Sequence, residues 1–221
     1  MVSNHWLLIM TRPSRRNGVA RDRRAELLDA ARDLFFKKGH RGTTIQQIAE
    51  RAGYSKRTVY LDFETKDELF MTICAEGGEL VLDALRAVPA DALDIAGLID
   101  AFQELFILFS REHSEYFRMI FSEATPEIIA NCSPAVRERA ARLEHDCIDV
   151  VVRWIERAIR EAHIRPVDPW DTAGILVGAA TGIILLSMGG SQTVYSRRTR
   201  EDLVRQAVRI IWQGLRTREE P

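Results

Sequence analysis

Apolar residues recur every three or four positions along most of the chain. The stretches between them are short and punctuated by glycine, proline and small hydroxyl residues. That pattern predicts helices joined by tight turns, an all-α fold. Leu27, Leu28, Ala31, Leu34 and Phe35 define one face of a first helix over residues 22–38. Lys37 and Lys38 suit its negative dipole end, and Gly39 its stop. Thr44 and Gln47 have capping-box spacing and open a short second helix with Ile45, Ile48, Ala49 and Ala52 turned inward. Gly53 permits a sharp turn. Ser55 then caps a third short helix over 56–61, with Val59 on its inner side. Thr65 and Glu68 repeat the capping-box spacing ahead of a longer helix through Leu69, Phe70, Ile73, Leu80 and Leu85, which ends near Pro89.

The same period continues to the C-terminus. Ile95, Leu98, Ile99, Phe102, Leu105, Phe106 and Phe109 predict a helix over 94–111, and Tyr116, Phe117, Ile120 and Phe121 a shorter one. Ser133-Pro134 is a cap with proline at the first helical position. It opens a long helix to residue 162 through Val136, Ala140, Leu143, Cys147, Val150, Trp154 and Ala158. Asp168 caps another from Pro169 to Met188, stopped by Gly189-Gly190, and a last helix covers 200–216. Three small N-terminal helices followed by longer ones predict a helix-turn-helix head and a larger helical body. The expected division is an arm at 1–20, the head at 21–70 and a regulatory and dimerisation domain at 71–221.

Net charge is only -1, but it is unevenly distributed. Residues 1–75 carry 14 Lys/Arg against 9 Asp/Glu, and the remainder carries 17 against 23. A basic front beside an acidic back points the front at a polyanion. Arg12, Arg15, Arg16, Arg21, Arg23 and Arg24 crowd the arm and the start of the first helix, with only Asp22 among them. Cys74, Cys132 and Cys147 are odd in number and widely spaced, which argues against a disulfide framework or zinc site and suits a reducing cytoplasm. Trp6-Leu7-Leu8-Ile9 is too short for a signal peptide and follows no basic segment. The apolar run 174–188 falls short of the roughly 20 residues of a bilayer span, so a buried helix is expected and no membrane partner.

Charge placement singles out the head. Lys56 and Arg57 lie in the first turn of one helix and Lys66 in the first turn of another. Cations there oppose the helix dipole by a few tenths to ~1 kcal/mol each. An anion bound at those positions reverses the sign.

The run from Gly42-Thr43-Thr44 through Ala52-Gly53-Tyr54-Ser55-Lys56-Arg57-Thr58-Val59-Tyr60-Leu61-Asp62-Phe63 to Lys66-Asp67-Glu68-Leu69 resembles the DNA-binding signature of the tetracycline-repressor (TetR) family. The turn glycine, the Ser-Lys-x-Thr-x-Tyr core, the following Phe and the Lys-Asp-Glu-Leu element all match. Tyr54 stands where a smaller aliphatic is common, and Arg57 where glycine is frequent. The resemblance implies that residues 55–61 form the recognition helix in the major groove of double-stranded operator DNA. It implies that Thr44, Ser55, Thr58, Tyr60 and Lys66 contact phosphate, with Arg21 and Arg24 at the edge of the arm as further DNA contacts. Lys56 and Arg57 are then best placed to reach base edges, where an arginine–guanine pair discriminates by ~1–3 kcal/mol.

For the body, the resemblance implies a homodimer built on the last two helices. Gly174, Gly178 and Gly182 share one face, each at a cost of ~1 kcal/mol relative to alanine. With Leu203, Ala207, Ile210 and Ile211 they are the candidate interface; the alternative is a glycine face packed inside one subunit. A small apolar or aromatic effector is expected among Phe102, Phe106, Phe109, His113, Phe117, Phe121, Trp154 and Trp170, though these aromatics could equally be core. The expected function is a transcription repressor released from a pseudo-palindromic operator by that ligand. The alternative is a DNA-binding architectural or adaptor protein without a ligand switch. No Gly-rich phosphate loop, GxSxG or histidine pair at metal spacing occurs, so neither an enzyme, a cofactor nor a metal is expected.

Overall fold

The computed structural model describes residues 22–188 and 198–217. The arm, including Arg21, and the stop at Gly189-Gly190 lie outside the described residues. Within them the chain forms α1 (Arg23–Lys38), α2 (Ile45–Ala52), α3 (Lys56–Asp62), α4 (Lys66–Arg86) and a 3-10 turn (Ala90–Ala92). There follow α5 (Ile95–Glu112), α6 (Ser114–Arg118) running into a π-type turn (Met119–Glu123), α7 (Pro126–Ala130), α8 (Pro134–Arg160), α9 (Pro169–Met188) and α10 (Arg200–Leu215). No strand occurs among the described residues.

Short polar side chains start most of these helices by accepting otherwise orphaned backbone N–H groups. Asp22 caps α1, Asp94 caps α5 and Thr199 caps α10. At α2 the capping box is complete: Thr44 Oγ1 accepts from Gln47 N at 3.2 Å, and Gln47 Oε1 from Thr44 N at 3.1 Å. At α4 it is half-formed. Thr65 Oγ1 accepts from Glu68 N at 3.0 Å, but Glu68 turns one oxygen to Glu64 N and the other to the Ser133 hydroxyl.

The described residues fall into two compact units. One comprises 22–79 and 114–143, so the head is built together with a segment from the middle of the sequence. Its core joins Leu27, Phe35, Ile48, Val59, Phe63, Leu69, Phe70 and Ile73 with Met119, Ile128 and Cys132. Phe35 meets Phe70 edge-on, with ring centroids 5.3 Å apart. Polar bonds fix the added segment. Arg118 donates to the carbonyls of Phe35 and Phe36 in the last turn of α1 and pairs with Glu123, whose carboxylate accepts from His40 N at 2.8 Å. Arg32 grips Glu76 through two nitrogens, and the Tyr116 hydroxyl donates to the same carboxylate. Gly77 makes room for this: a Cβ there would sit 2.7 Å from the Tyr116 ring.

The other unit comprises 80–113, 144–188 and 198–217. Here α9 and α10 pack on each other and on α5, and Arg205 on α10 bonds Glu104 on α5 at 2.6 Å. Thr172, Ala173, Leu176, Ala180 and Ile184 form the buried side of α9. The expectation that this apolar run is a buried helix needs correction. The helix is 20 residues long with a mean hydropathy of 1.6, long and apolar enough to cross a bilayer, yet only 28% of that stretch is buried. The sequence pattern is misleading because apolar residues surround the helix, whereas α5 and α10 cover one side only.

Backbone geometry distinguishes two of the head's glycines. Gly53 has φ 77° and ψ 25°, the left-handed region that a few other residues tolerate, with open space where a Cβ would be. Gly39 has φ 69° and ψ 177°, a region essentially restricted to glycine, and Glu123 Oε2 lies 3.1 Å from the Cβ position. In urea denaturation, Gly39→Ala is expected to cost about 1–3 kcal/mol, and Gly53→Ala less, about 1–2 kcal/mol.

Candidate nucleic-acid interface

The interface is built on α3, a helix of seven residues that turns only Val59 fully inward. Ser55 caps it, with Oγ 3.1 Å from Thr58 N and 2.8 Å from the Thr58 hydroxyl. Its four exposed residues face out in two stripes, since positions four apart share a helix face. Lys56 and Tyr60 form one, the ammonium 5.8 Å from the ring centroid. Arg57 and Leu61 form the other. Lys56 and Arg57 are both exposed, and neither makes a hydrogen bond or ion pair among the described residues. Two unpaired cations beside a helix N-terminus are an anion-binding arrangement.

Neighbouring bonds aim this helix. Tyr54, in the turn, donates its hydroxyl to Glu26 on α1 at 2.6 Å, and that bond raises the Tyr54 pKa above its usual value. Arg51 on α2 pairs with Asp33 on α1. At the far end of α3, Arg23 Nε and Nη2 clasp the two oxygens of Asp62 at 2.7 and 2.9 Å. Arg24 donates to the Asp62 carbonyl at 2.6 Å while its guanidinium lies 4.0 Å over the Phe63 ring. The hydrogen bond from Arg23 holds the Asp62 carboxyl below its usual pKa.

The expected DNA contacts thus separate by what else they do. Thr44 and Ser55 are exposed caps, Thr58 is half-buried on Ser55, and Tyr60 is exposed. Arg24 is committed to the end of α3. Lys66 is part-buried, and its ammonium donates to the carbonyls of His40 at 2.8 Å and Thr43 at 3.0 Å. It therefore ties the loop before α2 to the start of α4, with one proton left for anything else. Beside it, His40 Nε2 lies 2.6 Å from Asp67 Oδ1; burial, then the Lys66 charge, lowers the imidazole's pKa despite that carboxylate. Pattern reading passed over Asp62 and Arg23. The available signal was a carboxylate at a helix C-terminus, unfavourable with the dipole unless cations hold it.

The expected effector residues do not converge. Phe117 and Phe121 meet at a tilt in the unit that holds the head, centroids 4.7 Å apart, while the other six belong to the second unit. There Trp170 stacks on His145 at 4.9 Å, and Phe109 lies tilted against His113 at 5.7 Å. Only Phe102 and Trp154 line the cleft of that unit, together with Ile95, Leu98, Ile99, Val151, Ile155, Leu176, Val208 and Trp212. Its walls are almost wholly apolar, and it encloses about 30 Å³. The glycines of α9 lie on the uncovered side: a Cβ at Gly174, Gly178 or Gly182 would meet no atom within 4 Å. Among the described residues, nothing packs against that face. Ile175 is 58% and Ile210 57% exposed, and Leu203, Ala207 and Ile211 are half-buried.

Residues 27–73 match the family profile described as bacterial regulatory proteins, tetR family. The HTH-type transcriptional activator FasR of Mycolicibacterium smegmatis is 29% identical over 147 residues, 65% of this chain and 64% of FasR. The match thus spans under two thirds of that relative's length. The HTH-type transcriptional regulator RutR of Escherichia coli is 27% identical over 161 residues, 73% of each chain. Among solved structures, AibR in complex with isovaleryl coenzyme A and operator DNA shares the fold with a TM-score of 0.60. That match has 21% identity and covers 86% of this chain and 98% of that one.

Lys66 gives the test of this geometry. Lys66→Met leaves two part-buried carbonyls without their charged donor, so the expected loss of stability is about 1–3 kcal/mol in urea denaturation. A purely DNA-facing lysine would leave the denaturation midpoint unchanged.

Proposed function

We propose that the chain, whose residues 27–73 match the profile of bacterial regulatory proteins of the tetR family, is a TetR-family, sequence-specific DNA-binding transcription regulator acting as a homodimer. One observation carries the proposal: Lys56 and Arg57 stand exposed, without a hydrogen bond or ion pair among the described residues, on a helix whose inner side and two ends are engaged. In the major groove, Arg57 reads a base edge and Lys56 a base or phosphate, while Thr44, Ser55, Thr58 and Tyr60 reach phosphate. Arg21 and Arg24 extend the contact toward the arm, and Lys66 gives its remaining proton to phosphate while holding the loop. The functional division is an arm at 1–20, a head at 21–70 and a regulatory body at 71–221.

A seven-residue helix offers few base contacts, and two of them on a pseudo-palindrome double the readout. The uncovered side of α9, with α10 beside it, supplies the second copy's seat: Gly174, Gly178 and Gly182 let backbones approach, and Ile175 and Ile210 become buried. A four-helix interface explains the hydropathy of α9 without a bilayer. The protein then works in the cytoplasm, as a repressor that blocks a promoter until released, and catalysis plays no part.

The effector in this reading is a small molecule with a hydrocarbon or aromatic part. It is supported by the apolar walls around Phe102, Trp154 and Trp212, and by the acyl-coenzyme A that AibR holds. It acts by favouring a conformation in which the two recognition helices no longer match the operator, with α4 as the lever. A volume of about 30 Å³ is far below the ~300 Å³ of an ordinary ligand pocket, so the cleft must widen on binding. That volume also favours a second reading, a DNA-binding architectural or adaptor protein without a ligand switch.

Fluorescence anisotropy with duplexes tiling the DNA upstream of its own gene, and a scrambled control, tests the proposal. The expected result is preference for one tile by roughly a thousandfold, with two chains bound. Equal, weak and salt-sensitive binding to every selected or genomic duplex would refute sequence-specific regulation. An apolar compound that both stabilises the protein and releases the tile favours the effector reading over the adaptor.

A further inference from the structure

Leu61 is 68% exposed, more than any other exposed large hydrophobic residue in the described part of the chain, and it sits in the last turn of α3, on the surface assigned to DNA. No packing role accounts for it. Val59 and Phe63, its neighbours two positions away, are buried, whereas Leu61 points to the opposite side of α3. A bare leucine loses free energy to water, and that loss is recovered only if something apolar covers it. Its surroundings identify the chemistry of the cover. Arg57 lies one helical turn before it on the same stripe, and Lys56 and Tyr60 lie on the adjacent stripe; of the carboxylates nearest in sequence, Asp62 is held by Arg23, and the exposed Glu64 lies past the end of α3. A protein partner would find little apolar area here beyond Leu61 itself and part of the Tyr60 ring. The major groove of DNA pairs phosphates for the cations with one kind of apolar group, the thymine 5-methyl.

We propose that Leu61 is a specificity-determining residue that reads thymine methyl groups. It rests on the DNA-binding reading above and extends it from charge to shape. Four helical residues advance about 6 Å along the axis, and base pairs are stacked about 3.4 Å apart. Leu61 therefore covers a thymine roughly two base pairs from the base that Arg57 contacts. Arginine and leucine on one stripe then read two positions by two different forces. One is a hydrogen-bonding pattern and the other a methyl group.

The full-length protein is used first to select its preferred duplex from a randomised pool. Each thymine in that duplex is then replaced singly by uracil, which removes the 5-methyl and leaves every hydrogen-bonding group in place. Wild-type affinity should fall about fourfold at one or two thymines per half-site, the value of one buried methyl-sized group. Leu61→Ala should bind the unmodified duplex more weakly by a similar factor and be insensitive to uracil at those positions. Because Leu61 is exposed, the variant should keep the wild-type thermal midpoint. Identical uracil profiles for the two proteins, or a selected half-site without thymine, would overturn the methyl-reading role while leaving DNA recognition standing. Failure to enrich any duplex would overturn both.

Discussion

Everything proposed for this protein depends on holding one helix that cannot hold itself. Isolated helices of about seven residues are unstable in water, and α3 contributes only Val59 to the core. The burial of that side chain is worth about 1.5–3 kcal/mol, too little to fix both position and direction. Direction comes from both ends: the Ser55 cap and Tyr54–Glu26 bond at the start, and the two arginines on Asp62 at the finish. Beneath it, Phe35, Phe63 and Phe70 form a rigid seat. With its inner side and both ends occupied, the rest of the helix must face outward.

The same constraint sorts the cations of the head into two kinds. Arg23, Arg24, Arg32, Lys66 and, from the packed middle segment, Arg118 are each bonded to a carboxylate or carbonyl, and several are part-buried. Lys37, Lys38, Arg41, Lys56 and Arg57 are exposed and make no such bond among the described residues, and of these only Lys56 and Arg57 stand on α3. Net positive charge alone would not separate these roles. The body poses a complementary case: α9 has more apolar surface than its own unit covers, and its three glycines leave a smooth, open strip. The head displays unpaired charge and the body unpaired apolar surface, and each is explained by a partner of matching chemistry.

The fold and the head were largely legible in the sequence because their signals are local. Thr44–Gln47, Ser55, Asp94 and Ser133-Pro134 mark helix starts within one turn, and the structure places α2, α3, α5 and α8 there. α7 went unread because five residues contain too little of a helical period, and the π-type turn after α6 breaks that period. Partnerships over long sequence separation were illegible in principle. Nothing near Lys66 announces carbonyls 23 and 26 residues upstream, and nothing near Arg23 announces Asp62. Aromatic residues suggested a pocket but not which of them would converge: Phe102 and Trp154 do, while Phe117 and Phe121 lie in the other compact unit.

In the proposed reading, recognition turns on the outward Arg57, and its removal is the most direct measurement. Wild type and Arg57→Ala would each be titrated against all single-base variants of the selected operator at fixed salt. Loss of discrimination at one position per half-site, worth about 1–3 kcal/mol, with the other positions still read, is the expected result. A uniform weakening across every variant would show that Arg57 contributes charge alone, and would contradict the assignment of α3 as a base-reading helix aimed by its neighbours.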